Sequence, residues 1–383
     1  MPDTHPAQTE GDAATRPALV LLNFGGPRHL GEVGDFLFEI LRDPNTIQLP
    51  FPPVFQNMLA RRIARRRAPE VARQYAEIGG KSPIVDATQA IADALLTNLR
   101  EQPPGQGLKP GVGGIPPLYI IHRYLPGHAR EVARRMVADG VTHALALPLY
   151  PHFSYATTGS SLEQMRGELL RAGWDGELRA LRSYPDAPGL LDAMQARLED
   201  TLAGVTAGPE HTVVLCTAHG LPQSYVEAGD PYRLELYRTV EALRGRFPQW
   251  RFDLSFQSRV GPAEWLRPYT DEYIGTLAAQ GVRDLVFFPL AFVNDHIETL
   301  YEVQVTYFGM AREAGMTPHC VQAVEDHPGH IAVLAGYARA WLAGHAGVPA
   351  KELLPPSQYW PRHGRWAWWS FWLLLWAWAL FVW

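Results

Sequence analysis
The chain has 383 residues, of which 47% are apolar and 19% charged. That is enough for two to three domains with buried cores, and too apolar for a disordered chain. A formal net charge of -5 leaves no basic footprint for nucleic acid, and two cysteines exclude a disulfide scaffold, a four-cysteine zinc site or a four-cysteine iron–sulfur cluster within one chain.

Residues 1–16 are polar and lack the apolar core of a signal peptide, so they read as a disordered lead-in. Short runs rich in β-formers follow. Strands are predicted over 18–24 (ALVLLNF), 118–123 (LYIIHR), 143–150 (HALALPLY), 212–218 (TVVLCTA), 252–257 (FDLSFQ) and 284–290 (DLVFFPL). Helical patterns lie between them, at 129–139, 190–202, 233–246 and 269–280. Nearly continuous hydrophobic strands alternating with helices indicate parallel sheets covered on both faces. Gly140-Val141 followed by Pro148-Leu149 is echoed at the same spacing by Gly281-Val282 followed by Pro289-Leu290. The expected fold is therefore α/β, with two similar Rossmann-like lobes; the competing reading of the echo is ordinary βα grammar. The first lobe is expected over 17–180, completed by 325–346, and the second over 181–324. A linker is expected over 347–365.

From Trp366 to Trp383 the chain carries no charge and holds seven of the twelve tryptophans. Eighteen helical residues span about 27 Å, near the short limit for a bilayer. Arg362, His363 and Arg365 precede the run, and tryptophan favours the interfacial zone. This reads as a tail in contact with a membrane, with the body on the cytoplasmic side. A buried helix or a dimerisation helix is the alternative.

In an open parallel sheet, ligands bind beyond the carboxyl ends of the strands. The residues there are informative. The first strand ends in Asn23-Phe24-Gly25-Gly26-Pro27, where the glycine pair either admits a ligand or merely turns the chain. YAEIGGKSPI (75–84) offers Lys81 to an anion or to solvent. Aromatic and hydroxyl residues alternate from Tyr150 to Ser160, which suits a flat apolar ligand or an ordinary capped loop. His219 sits at a strand end on a tight turn, placed for ligation or proton transfer. After the last long strand, Asp295, Glu298 and Glu302 share one face of a regular helix. Stacked like charges cost stability unless a cation or proton sits among them, and the alternative is a solvated acidic first turn. Trp265 follows FQSRVGP in a loop and is placed either to stack on a planar ligand or to be half-buried.

Taken together, LNFGGP, YAEIGGKSPI, LPLYPHFSYATTGSS, TAHGLP, GDPY, FQSRVGPAEWLRPYTDE and AFVNDHIETLYE resemble, in order, the ferrochelatase family, from Leu22 to Glu302. The resemblance implies two chelatase-type Rossmann-like lobes with a porphyrin cleft between them. It implies insertion of ferrous iron into protoporphyrin IX with release of two protons, the last step of haem synthesis. The alternatives are coproporphyrin III as substrate, or a porphyrin carrier without turnover. His219 and Glu298 look like the family's catalytic and metal-site pair. Asp295, His296 and Glu302 look like its supporting polar network, and Phe24, Arg123, Tyr150, Trp265 and Phe292 like its porphyrin contacts. Ala76 and Glu77 stand where some members carry arginines, leaving Lys81 and Arg123 as substitutes. No cofactor beyond substrate iron, and no iron–sulfur cluster, is implied.

Overall fold
The computed structural model of the protein describes residues 15–43, 53–103, 114–261, 263–344 and 347–354. Most of the expected lead-in, the later part of the linker and the whole apolar tail lie outside them. Among the described residues no helix is long and apolar enough to cross a membrane.

The strands are β1 (Pro17–Asn23), β2 (Leu118–His122), β3 (His143–Pro148), β4 (Glu177–Ala180), β5 (Thr212–His219), β6 (Arg251–Gln257), β7 (Asp284–Phe288), β8 (Thr317–Cys320) and β9 (Val348–Pro349). They form two sheets, ordered β2-β1-β3-β4-β9 and β6-β5-β7-β8. Every pairing is parallel except β4 with β9. The first four strands of each sheet thus follow one pattern, as the Gly-Val/Pro-Leu echo predicts.

β1 shows why the strands are hydrophobic throughout. Leu19 and Leu21 point into one cluster, while Ala18, Val20 and Leu22 point into another on the opposite face. The first cluster is continuous across both lobes. It joins Leu145 of β3 to Val214 of β5 and Val286 of β7 through Leu190, Met194 and Leu198 of the Pro188–Leu202 helix and Leu334 and Ala338 of the Pro328–Leu342 helix. Each such fully buried side chain contributes about 1.5–3 kcal/mol of transfer free energy. These two helices meet at their starts, where a Cβ on Gly189 would lie 2.5 Å from the Gly329 carbonyl oxygen. Asp186-Ala187-Pro188-Gly189 and Asp326-His327-Pro328-Gly329 are thus a second echo between the lobes, unread in the sequence.

β4, β8 and β9 were not expected. They are short and only partly buried, with polar sequences such as ELRA and TPHC that carry no apolar run. The segment expected to be linker from 347 begins inside the first sheet: β9 pairs with β4, and Ala350 and Leu353 bury against the outer face of that lobe.

Candidate active site
In each sheet the chain winds first to one side (β1 to β2, β5 to β6) and then crosses to the other (β3, β7). The crevice at that reversal lies beyond the carboxyl ends of β1, β3, β5 and β7, where a ligand fits. Phe24 directly follows β1, Tyr150 comes just after β3, His219 ends β5, and Phe292 to Glu298 follow β7. Asn23 links the two lobes at the base of this crevice. Its side-chain Nδ2 donates to Thr88 Oγ1 at 2.8 Å and to Asn294 Oδ1 at 2.9 Å, while its Oδ1 accepts from Phe24 N.

His219 is half-buried, and its Nδ1 lies 2.6 Å from the Gly220 carbonyl oxygen. A carbonyl only accepts, so Nδ1 carries the proton and Nε2 presents a lone pair. Trp265 packs beside it, ring centroids 6.2 Å apart, with its indole N–H held by Val260 O at 3.0 Å. Gly220 permits this: a Cβ there would sit 3.0 Å from the Trp265 ring.

Glu298 opens a π-helical stretch, Glu298–Tyr307. The wider i→i+5 turn brings residues four apart into register. Glu298 and Glu302 therefore share a face, and both meet Ser258 just past β6. Asp295 does not join them, contrary to the regular-helix expectation. Its carboxylate accepts from Thr299 Oγ1 at 2.8 Å and faces a small pocket lined by Phe288, Leu290, Phe292 and Val321. Burial raises the Asp295 pKa.

The two site glutamates differ in their partners. Glu302 accepts from four donors: Ser258 N (3.0 Å), Ser258 Oγ (2.5 Å), Gln257 Nε2 (3.2 Å) and Tyr307 OH (2.8 Å). Among the described residues, Glu298 accepts one long side-chain hydrogen bond, from Ser258 Oγ at 3.4 Å. Burial pushes its pKa up, the nearby His219 pulls it down, and Glu302 pushes it up further. Glu298 is thus the site acid whose surroundings favour a bound proton. His296 lies buried with Nε2 3.9 Å from Glu298 Oε1 and its ring against Phe292 at 4.4 Å. Burial first, and then the proximity of His219, pushes its pKa down to about 3, so it is neutral. Among the described residues no group of three or more His, Cys, Asp or Glu could hold a metal ion.

The opposite wall is aromatic. Phe24 is half-buried, 4.5 Å from the Tyr124 ring and 6.2 Å from Phe36. The glycines after it serve packing. A Cβ on Gly25 would lie 2.8 Å from His122 Cβ, and one on Gly26 2.4 Å from Ser82 Cβ. Tyr150 OH sits 3.4 Å from Ser161 Oγ. Arg123 is engaged internally: Nη2 reaches Asp43 at 2.6 Å and Nε reaches Ser160 Oγ at 2.9 Å. Asp43, only 4% exposed, also accepts from Tyr124 OH at 2.8 Å. Lys81 forms an exposed ion pair with Asp86. Exposed arginines stand instead on the Pro53–Glu77 helix (Arg61, Arg65, Arg66, Arg67), which packs against the Glu298–Tyr307 stretch.

Sequence reasoning missed Asp43, Gln257, Ser258 and Tyr307. Gln257 and Ser258 had a signal, a polar pair at the end of an apolar strand. Asp43 had none, because its role depends on a partner 80 residues away.

The ferrochelatase family model matches residues 16–341. A ferrochelatase of Synechococcus sp. is 38% identical over 370 residues, covering 92% of this chain and 90% of the relative. One from Synechocystis sp. is 40% identical over 330 residues (84% and 81%), and one from Geotalea daltonii is 36% identical over 301 residues (79% and 90%). On that match, which spans both lobes and every residue of the crevice, the chain belongs to the ferrochelatase family.

Proposed function
We propose that the protein inserts ferrous iron into protoporphyrin to give haem and two protons. The observation that carries this reading is His219, its Nε2 lone pair directed away from the backbone, in a cleft with a half-buried Glu298 that favours a proton. A flat porphyrin hides its nitrogen lone pairs in the ring plane, so the enzyme should bind a bent ring. The walls supplied by Phe24, Tyr150, Trp265 and Phe292 hold that ring. Nε2 of His219 accepts a pyrrole proton, and Glu298 takes the second or passes the iron inward. Glu302, pinned by its four donors, keeps the approach negative for a ferrous ion, which oxygen and imidazole ligands both suit. Arg123 supports the wall through Asp43 and Ser160. The exposed arginines of the Pro53–Glu77 helix supply positive charge for the ring carboxylates.

The test is loss of protoporphyrin fluorescence on adding ferrous iron without oxygen. His219→Ala and Glu298→Gln should each slow insertion by roughly 10²-fold or more, the scale of lost acid–base catalysis. Binding without turnover in the intact protein would mean a carrier, and equal turnover in all three would move the chemistry elsewhere. A higher kcat/KM with coproporphyrin III would change the substrate and leave the mechanism standing. We also propose that the apolar tail attaches the enzyme to the cytoplasmic face of a membrane, where an insoluble ring is concentrated. Deleting residues 362–383 should shift the protein to the soluble fraction with turnover retained; loss of activity with the tail would overturn an anchoring role.

A further inference from the structure
The GDPY stretch has no part in the chemistry above, yet it contains a deeply buried acid. Asp230 is 3% exposed, and Glu235, one helical turn further on, is 3% exposed as well. Both belong to the second lobe, and each commits one carboxylate oxygen to the first. Asp230 Oδ2 accepts from Ser154 Oγ and from Tyr155 N, each at 2.9 Å, while its Oδ1 accepts from Tyr232 N at 2.9 Å. Glu235 Oε2 accepts from Phe153 N at 2.6 Å, and its Oε1 pairs with Arg182 at 2.7 Å. His152 Nε2 lies 2.8 Å from Thr239 Oγ1 on the same helix. Buried carboxylates are costly unless hydrogen-bonded, and one oxygen of each is bonded to main-chain or hydroxyl donors of the other lobe.

What they hold is the segment that leaves β3. Ser154 Oγ accepts from Ala156 N at 3.1 Å and caps the π-helical turn Tyr155–Gly159. That turn delivers Ser160 to Arg123 and Ser161 to Tyr150. We propose that Asp230 and Glu235 are positioning residues, which clasp the Pro151–Gly159 segment across the lobe junction and thereby place the Tyr150 wall against the porphyrin. The proposal rests on the cleft being a porphyrin site.

Asp230→Asn tests it. An amide cannot accept from Tyr155 and Ser154 at one atom and from Tyr232 at the other, so one set of bonds is lost. Protoporphyrin Kd, read by fluorescence titration, should rise about tenfold, with kcat at saturating porphyrin and KM for iron within twofold of the intact protein. Amide exchange should quicken at Phe153, Tyr155, Ala156 and Gly159 while β3 and β5 stay protected. Ser154→Ala, which keeps both acids, should show the same pattern more weakly, and the double variant should be no worse than Asp230→Asn. If Asp230→Asn fails to fold, Ser154→Ala carries the test alone. An unchanged Kd, an equal loss of kcat and both affinities, or exchange rising everywhere at once would overturn the clasp. If the intact protein binds no porphyrin, the chelatase reading fails instead; faster exchange confined to 152–161 then still upholds the clasp, and unchanged exchange overturns it.

Discussion
Ser258 shows how one residue can set the character of two others. Its φ of 63° is left-handed, a region that costs a non-glycine residue about 1 kcal/mol or more. The strain turns both its N–H and its hydroxyl onto Glu302, with Glu298 at the edge of reach. Ser258→Ala keeps the strain and loses the hydroxyl; Ser258→Gly loses both. The glycine variant should be more stable than the alanine variant by about 1 kcal/mol in urea unfolding. Both should raise the KM for iron by about tenfold, with porphyrin affinity unchanged, since a hydrogen bond to a charged group is worth about 1.5–3 kcal/mol. An iron KM that stays put in both would remove Ser258 from metal delivery. His219 and Glu298 stand out in the sequence because each sits in a dense local motif. Ser258 lay within such a motif but drew no notice, because its importance comes from a backbone angle.

Among elements, the turn after β1 depends on missing atoms. Gly26 lies against Ser82 of the GGKSP loop, and Ser82 N donates to Pro27 O at 2.8 Å. Gly26→Ala would drive a methyl into a buried side chain, an overpacking that costs about 1–3 kcal/mol. Adding Ser82→Gly should recover much of that loss in denaturant unfolding, and simple additivity of the two changes would argue against direct contact. The glycine pair left two readings open in the sequence, ligand approach or turn. The packing against His122 and Ser82 supplies a third, which only the folded neighbours reveal. The π-helical stretch is similar. Spacing alone suggests Asp295, Glu298 and Glu302 on one face, but Asp295 precedes the helical turns and bonds Thr299 instead.

For the molecule as a whole, acid should be the weak side. Burial holds His122, His152 and His296 near a pKa of about 3 and His330 near about 4, against about 6.5 when unfolded. A depressed folded pKa means the unfolded chain binds the protons first, so stability falls as pH drops below about 6.5 and keeps falling toward 4. At pH 5.5 one such histidine costs about 1.4 kcal/mol. The raised carboxyls of Asp295, Glu298 and Glu325 act in the opposite sense but are outnumbered. The urea midpoint should therefore drop between pH 7 and pH 5, with a shallower slope in His152→Gln. A flat midpoint would mean these rings find protons in the folded state.

The long parallel strands, the duplicated winding and the crevice were all readable from apolar runs and their echoes. The lobe junction was not, because Asn23–Asn294, Gly189–Gly329 and the Ser154–Asp230 contact join residues 76 to 271 positions apart. One of those late contacts governs how the chain is made. The first lobe's inner face is covered by the Pro328–Leu342 helix, which packs on the Ile84–Glu101 helix, and its sheet edge is capped by β9. An N-terminal half emerging from the ribosome therefore has its strands but no cover for Leu95 and Leu99. It must wait for almost the entire polypeptide, as a sticky nascent chain that chaperones would recognise.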